Sequence, residues 1–174
     1  MKKQTKNIFD LITRYIILVL IAFPNLFIFY FIFTPITVYA IYFLLNIFFQ
    51  VTLSGNMIGT DCFSIKIIDA CVAGSAYYLL FVLNFSTSKI NLKKRINILA
   101  SSFAIFLTAN VLRIFFLAIL ASYGSSYFDQ AHLFFWYFVS VFLVVGIWFF
   151  EVKYFKIKQI PFYSDIKSVI KLSS

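Results

Sequence analysis

The chain has 174 residues, of which 63% are hydrophobic and 12% charged, and its formal net charge is +9. Soluble domains carry about 25% charged residues, and a soluble fold of this size has too little interior to hide so much apolar surface. The composition therefore excludes an ordinary soluble domain and predicts an integral membrane protein. The 25 Phe and 11 Tyr agree, because Phe suits the hydrocarbon core and Tyr its interfaces.

The basic residues lie in short runs that flank apolar stretches, at residues 2–6, 93–95 and 153–171. This distribution is typical of membrane orientation by the positive-inside rule rather than of a nucleic-acid-binding surface. We therefore expect no nucleic-acid partner.

The first two apolar stretches, residues 15–33 and 36–53, predict two membrane helices separated by a tight turn at Thr34-Pro35. Pro24, inside the first stretch, predicts a kink of the kind that membrane helices tolerate. The first stretch is too long for a cleavable signal peptide and lacks a small-residue cleavage site. We therefore expect it to be retained as a membrane segment.

Beyond residue 53, apolar stretches alternate with polar or basic loops. Three further membrane helices are predicted, at residues 67–85, 96–121 and 133–150, followed by a basic tail at residues 151–174. No internal repeat is present. The sequence thus predicts one all-α membrane domain, residues 1–174, built as a polytopic bundle of about five helices.

Charge bias assigns the basic loop at residues 86–97 and the tail to the cytoplasm. The polar loops at residues 54–69 and 124–132 then lie outside. The N-terminus disagrees, because two crossings before residue 54 would also place its lysines outside. Either this short segment is translocated, or part of residues 7–53 does not cross; we favour five crossings.

Arg113 lies deep inside the fourth apolar stretch, ten residues before Tyr123, or about 15 Å along a helix. A charge at that depth costs at least about 2.5 kcal/mol and usually faces the bundle interior with a function. The alternatives are snorkelling, which this depth makes difficult, and a structural tie between helices. Asn110, one turn earlier, can hold the guanidinium by a hydrogen bond; interhelical adhesion is the simpler interpretation.

The predicted topology places Cys71, Arg113 and His132 on the same, outer side of the membrane. His132 is the only histidine, and an imidazole exchanges protons near neutral pH. Asp129 is one turn away and can orient it, although a solvated loop charge is the simpler interpretation. Cys71 stands in a run of small residues that includes Gly74, which also suits plain helix packing.

The chain has two cysteines, Cys62 and Cys71. A disulfide between them can form outside the cell, although spacing alone does not show one. With one histidine and no Cys-x-x-Cys pattern, the sequence contains no zinc ligand set. We therefore expect neither a metal nor a cofactor.

Cys71 with its small residues, the Asn-x-x-Arg pattern from Asn110 to Arg113, and His132 together resemble the archaeosortase/exosortase family, especially its short archaeal, pacearchaeosortase-type members. Members are polytopic membrane proteins that carry these features in this order. The resemblance covers residues from about 54 to 150; the first two helices match only in being apolar.

This chain departs from the family at the nucleophile. Many members have Cys-Ser/Thr-Gly, whereas Cys71 is followed by Val72, Ala73 and only then Gly74. Cys62 is a rival nucleophile that lacks such a glycine. Its interval to Arg113 is 51 residues, against 42 from Cys71, which is closer to the family's spacing. We therefore assign Cys71.

The resemblance implies acyl transfer at the extracytoplasmic face of the cell membrane. Cys71 attacks a peptide carbonyl in the C-terminal sorting signal of a surface protein, His132 carries protons, and Arg113 stabilises the oxyanion. A lipid or other amine then resolves the thioacyl enzyme. The implied partners are such surface proteins and a membrane lipid acceptor; no substrate-binding residue is assigned.

Two other functions remain compatible with the sequence. One is an intramembrane cysteine protease that releases its substrate by hydrolysis. The other is a non-enzymatic scaffold or transporter subunit that uses Arg113 on an ion pathway, although neither an inverted repeat nor paired broken helices are present.

Overall fold

The computed structural model of this protein describes residues 2–23, 25–60, 63–87, 90–123, 127–157 and 161, although not the side chains of residues 2–8, 10, 129 and 136. The elements follow in the order α1 (Lys2–Ala22), α2 (Phe27–Asn46), β1 (Val51–Ser54), β2 (Met57–Thr60), β3 (Ser64–Lys66), α3 (Asp69–Val72), α4 (Gly74–Phe85), α5 (Leu92–Ser122), α6 (Phe128–Phe134), a π-helical turn (Phe135–Val139) and α7 (Ser140–Tyr154). The described chain is mostly helical, as predicted, with one small sheet.

Three helical segments are long and apolar enough to cross a membrane, at Phe27–Asn46, Leu92–Ser122 and Gln130–Tyr154. Two shorter apolar segments accompany them, at Leu11–Ala22 and Asp69–Phe85. Large apolar side chains such as Phe31, Phe116 and Phe142 are exposed on the outside. A surface of this kind suits lipid rather than water. The described residues thus indicate a membrane protein with three candidate spans, whereas five crossings stay a prediction.

The first interruption of the helices lies earlier than predicted. Helix α1 ends at Ala22 and α2 begins at Phe27, while Asn25 and Leu26 have φ of 47° and 59°. Consecutive left-handed residues cannot continue a right-handed helix, so the chain must break here. Pro24 lies outside the described residues.

The turn predicted at Thr34-Pro35 is wrong, because Pro35 lies inside helix α2. Its side chain is exposed. Proline costs a helix one N–H donor, a loss that membrane helices tolerate where the local geometry adjusts. The predicted boundaries at residues 15–33 and 36–53 are therefore replaced by those of α1 and α2.

The all-α prediction is wrong for part of the polar loop, which forms an antiparallel sheet in the order β1-β2-β3. Ser54 pairs with Met57 across a two-residue turn. Gly55 opens that turn with φ of 60°, where glycine avoids the strain that a side chain would bring. The strands have three or four residues each, too short for alternation to stand out in the sequence.

The predicted third helix, residues 67–85, is divided into α3 and α4 at Ala73, which has φ of 59° and ψ of 47°. Helix α5 covers the predicted fourth helix, residues 96–121. Helix α6 begins at Phe128, inside the loop predicted at residues 124–132. The predicted fifth helix, residues 133–150, consists of the end of α6, the π-helical turn and most of α7.

Aromatic side chains join α2, α4 and α5 in the core. The Tyr77 ring stacks on Phe33 with centroids 3.7 Å apart, and meets Phe106 edge-on at 4.8 Å. Tyr77 and Phe106 are almost fully buried. Helix α5 also packs against α7, so it is the central element of the bundle.

A buried arginine of α5 caps the C-terminal end of α4. The Arg95 guanidinium donates to the backbone carbonyls of Asn84, Phe85 and Thr87 at 2.6, 3.0 and 2.8 Å, where α4 ends. A cation at a helix C-terminus satisfies carbonyls that the helix leaves without donors. Arg95 therefore stabilises this turn. It also belongs to the basic run at residues 93–95.

Candidate functional site

A cavity of about 460 Å³ lies among β3, α3, α5 and α6. Cys71, Arg113 and His132, the three residues assigned from the sequence, all line it. The remaining wall is mostly apolar, with further residues that include Ile65, Ile68, Ile114, Leu117, Ala118 and Phe128. The fold thus brings a thiol, a guanidinium and an imidazole to one cavity from three separate helices.

The thiol is carried by the single turn of helix α3. Cys71 is half-buried and its thiol is free. The left-handed conformation of Ala73 changes the direction of the chain just after Val72. Because the helix does not continue, the carbonyls of Cys71 and Val72 lack the N–H donors that a further turn would supply. They need donors from elsewhere.

Those donors come from Asn110 and Arg113. The Asn110 amide donates to the Cys71 carbonyl at 2.9 Å and approaches the Val72 carbonyl at 3.5 Å. Nη2 of Arg113 also approaches the Cys71 carbonyl, at 3.5 Å. Residues three apart share one helix face, so both side chains of the Asn-x-x-Arg pattern reach the same peptide group. Asn110 thus holds the cysteine segment. The sequence had suggested instead that it holds the guanidinium of Arg113.

The Arg113 guanidinium is held firmly at one side only. Its Nη1 donates to the Ser140 hydroxyl at 2.7 Å, whereas the contact with Cys71 is at the limit of a hydrogen bond. Its Nε is buried and has no hydrogen-bond partner among the described residues. The group therefore retains donor capacity beside the thiol-bearing segment, which is the requirement for stabilising an oxyanion.

Ser140 is a site residue that the sequence analysis missed. It follows the π-helical turn and donates to the carbonyl of Phe135 at 3.2 Å while accepting from Arg113. A lone serine between Val139 and Val141 was the available indication. π-Helical turns often mark functional sites.

Arg113 also lines a second cavity, of about 240 Å³, between α5 and the segment from the π-helical turn into α7. Apart from Arg113, Asn110 and Ser140, this cavity is lined by apolar residues, including Phe106, Leu112, Phe116 and Leu143. The guanidinium therefore stands between two cavities. Only the larger one contains Cys71 and His132.

His132 lies on α6, and its imidazole stacks on the Phe128 ring, with centroids 6.0 Å apart and planes 13° from parallel. The residue is exposed and also lines the cavity. Asp129 belongs to the same helix, but its side chain is outside the described part of the structure. Cys62, the rival nucleophile, is also outside it.

Gly74 has a packing role. It is buried, and a Cβ placed there would come within 2.7 Å of two carbons of the Tyr30 ring. This close approach seats the start of α4 against α2. The left-handed turn is made by Ala73 instead. An αL conformation favours glycine, so an alanine leaves strain in this turn.

No protein-family model matches this chain, and no curated protein or solved structure is significantly similar to it. Among the described residues, no group of three or more His, Cys, Asp or Glu side chains can hold a metal ion. The resemblance to the archaeosortase/exosortase family therefore depends on the site residues themselves.

Proposed function

We propose that this protein is a membrane-embedded cysteine transpeptidase of the archaeosortase/exosortase type. It cleaves surface proteins at their C-terminal sorting signals and transfers the cleaved proteins to a lipid or another amine. One observation carries the proposal: Cys71, Arg113 and His132 line a single cavity. Their side chains are a nucleophile, a hydrogen-bond donor of fixed charge and a proton carrier, which acyl transfer requires together.

In the first half of the reaction, His132 accepts the thiol proton as the sulfur of Cys71 attacks the peptide carbonyl carbon. The carbonyl oxygen becomes an oxyanion, to which Arg113 donates from the side facing Cys71. The C–N bond then breaks, and the leaving amine takes the proton from His132. The products are a thioester on Cys71 and the released sorting tail.

In the second half, an amine attacks the thioester carbon and passes a proton to His132. The oxyanion forms again beside Arg113 and collapses with loss of the Cys71 thiolate, which regains its proton from His132. A new amide bond links the surface protein to its acceptor. The cycle is redox-neutral, and we expect it to need no cofactor.

Charge distribution supports an extracytoplasmic site. The cavity adjoins the C-terminal part of α5, whereas the exposed Lys93 and Lys94 lie at its start. Lys153 is exposed near the end of α7, and the cavity-lining α6 lies at the other end of that span. Basic residues favour the cytoplasmic side. We propose that the cavity opens to the outside of the cell membrane.

The test is to co-express the protein with a surface protein whose C-terminus carries a short motif, an apolar helix and a basic end. Mass spectrometry of the new C-terminus identifies the acceptor. Addition of hydroxylamine, a strong nucleophile, should divert a thioacyl enzyme to a C-terminal hydroxamate. We expect Cys71→Ala to abolish processing, and the matched control Cys62→Ala to retain it.

The outcomes separate the alternatives. A lipid-linked or amine-linked C-terminus supports transpeptidation, and a free carboxylate identifies a hydrolytic protease. Loss of processing in Cys62→Ala but not in Cys71→Ala would overturn the assignment of the nucleophile. An unprocessed substrate with no hydroxamate would favour the scaffold or transporter function.

A further inference from the structure

The free edge of the small sheet adjoins the cavity that holds Cys71. Among the described residues, β3 is the only strand that contributes to the cavity wall, through Ser64, Ile65 and Lys66. It is also the last strand in the order β1-β2-β3. The cavity is therefore lined by the strand at one end of the sheet.

Two backbone bonds determine which groups of β3 point to that edge. The carbonyl of Phe63 accepts from β2 at 2.8 Å, and the N–H of Ile67 donates to the turn between β1 and β2 at 2.9 Å. Along an antiparallel strand, residues bonded to the partner alternate with residues that face away. Ser64 and Lys66 therefore direct their N–H and C=O groups away from β2.

We propose that the edge of β3 binds the substrate as an added strand, and this inference rests on the proposed function. An extended peptide segment pairs with the backbone groups of Ser64 and Lys66, and its scissile carbonyl reaches Cys71. Main-chain pairing of this kind is a general mode of peptide recognition. The cavity, at about 460 Å³, is within the size range of pockets that enclose a small ligand.

The chemistry of the attack also favours an extended substrate. A peptide group inside a helix has its carbonyl bonded to its own chain, whereas a strand leaves alternate carbonyls accessible. The occupant is therefore the non-helical segment of the substrate that precedes its membrane helix.

The charged residues of the cavity wall restrict which peptide segments can bind there. Lys66 and Arg113 line the cavity, and no carboxylate does so among the described residues. In an apolar cavity, these cations repel basic side chains. The segment bound at β3 is therefore neutral or acidic.

The edge is connected to the nucleophile by a short, anchored segment. Ile67 is buried, with 1% of its surface exposed, and Cys71 follows four residues later. The Asn110 amide fixes the far end of this segment through the Cys71 carbonyl. A strand paired with β3 is thus held at a constant position relative to the thiol. Lys66 can also serve simply as a charge that prevents edge-to-edge aggregation. That role does not explain why the cavity lies beside this strand.

The experiment measures the rate at which two electrophiles label Cys71 in the full-length Cys62→Ala protein, reconstituted in phosphatidylcholine vesicles. One probe is acetyl-Ala-Val-Ala vinyl sulfone, which has a peptide backbone, and the other is iodoacetamide. Ser64→Pro removes an N–H that points to the free edge, and proline is tolerated there because the ladder to β2 keeps its bonds. Ser64→Ala is the matched control, since it keeps that N–H.

We expect Ser64→Pro to slow labelling by the peptide probe about tenfold, as the loss of one buried hydrogen bond would. Ser64→Ala should change it less than about twofold, and iodoacetamide should react equally with all three proteins. A peptide probe with N-methylated amides should also label the parent protein more slowly, because it cannot donate to the carbonyls of Ser64 and Lys66. These bonds differ from the one that Ser64→Pro removes, so the two losses of rate should combine.

Equal labelling of the parent protein and Ser64→Pro by the peptide probe would overturn the edge-strand inference. If Ser64→Pro also slows iodoacetamide, the N-methylated probe on the parent protein decides instead, and an unchanged rate there rejects the inference. The proposed function fails separately. The proposed function would be contradicted if both reagents labelled Cys71 at the same rate in Arg113→Ala and His132→Ala as in the parent protein.

Discussion

The side-chain amide of Asn110 donates a hydrogen bond of 2.9 Å to the backbone carbonyl of Cys71. This bond joins the central helix α5 to the turn that carries the thiol. The turn needs it because Ala73, in a left-handed conformation, ends α3 directly after Val72. Asn110 is therefore a positioning residue: it acts on the reaction by holding the nucleophile's peptide group in place.

Removing the Asn110 donor should therefore destabilise the protein and impair processing together. We expect Asn110→Ala and the nearly isosteric Asn110→Asp each to lower the unfolding free energy by about 1–3 kcal/mol, because a buried carbonyl loses its partner. Thermal unfolding in detergent measures the first effect and the rate of substrate processing the second. Thr108→Ala is the control, since Thr108 is exposed and bonds within its own helix. An unchanged melting temperature and rate in Asn110→Asp would contradict the positioning role.

Arg113 should be required for the reaction rate rather than for substrate binding. Lysine keeps the charge but cannot span Ser140 and the Cys71 carbonyl with a planar fork. We expect Arg113→Lys to lower kcat by about 100-fold or more, with little change in KM, as the loss of an oxyanion donor does.

Ser140→Ala should produce a smaller effect at the same site. It removes the hydroxyl that accepts a hydrogen bond from Nη1 at 2.7 Å, so the guanidinium is held less firmly. We expect a loss of about tenfold in kcat, equivalent to one hydrogen bond. If Ser140→Ala raised KM and left kcat unchanged, its hydroxyl would contact the substrate instead of positioning Arg113.

Gly74 should tolerate no side chain. A Cβ at this position would lie 2.7 Å from the Tyr30 ring, so we expect Gly74→Ala to cost about 1–3 kcal/mol of stability through overpacking. Tyr30→Leu removes the obstructing ring, and the cost of Gly74→Ala should shrink in that background. Gly146→Ala is the matched control, because nothing lies within 4 Å of its Cβ position. It should be neutral or stabilise by up to about 1 kcal/mol. Equal effects of the two glycine substitutions would argue against the contact.

Glu151 should accept glutamine but not alanine. Its Oε1 accepts from Ser101 and Ser102 at 2.9 and 2.6 Å, while Oε2 has no partner among the described residues. The Oδ1 atom of Asn84, which also bonds Ser102 through its amide nitrogen, likewise has none there. Glutamine supplies an N–H donor at this cluster of acceptors.

We therefore expect Glu151→Gln to keep or raise the melting temperature. Glu151→Ala should lower stability by about 2–4 kcal/mol, because it removes the carboxylate that Ser101 and Ser102 share as an acceptor and opens a cavity. Thermal unfolding of both variants in detergent is the measurement. A melting temperature for Glu151→Gln as low as that of Glu151→Ala would show that the negative charge itself is needed.

The helical character of the chain and its suitability for a membrane could be predicted from the sequence. Long apolar runs have few structural solutions in lipid, because every backbone group must be bonded within the segment. The site residues could be singled out for a related reason. A charge such as Arg113 is costly in an apolar helix and is retained where it has a role.

Other features could not be predicted, because they depend on contacts between distant parts of the chain. At the break, Ala73 adopts a left-handed conformation that glycine tolerates and alanine does not favour. Residue propensity alone therefore argues against a break at this position. Tertiary contacts also determine the break after Ala22, which the sequence predicted at Pro35, and the three short strands. Local patterns in such short elements are weak, and tertiary packing overrides them.

The sequence by itself determined that this is an apolar, helical chain with a rare cation, Arg113, inside a long apolar stretch. Sequence suffices for that because lipid and water impose opposite demands on side chains. Only the tertiary structure decided that Asn110 and Arg113 meet the peptide group of Cys71, that Ser140 holds the guanidinium, and that β3 lines the cavity. These relationships join elements far apart in the chain. Hydrogen bonds of this kind are set by how helices pack, and spacing along one helix does not encode that packing.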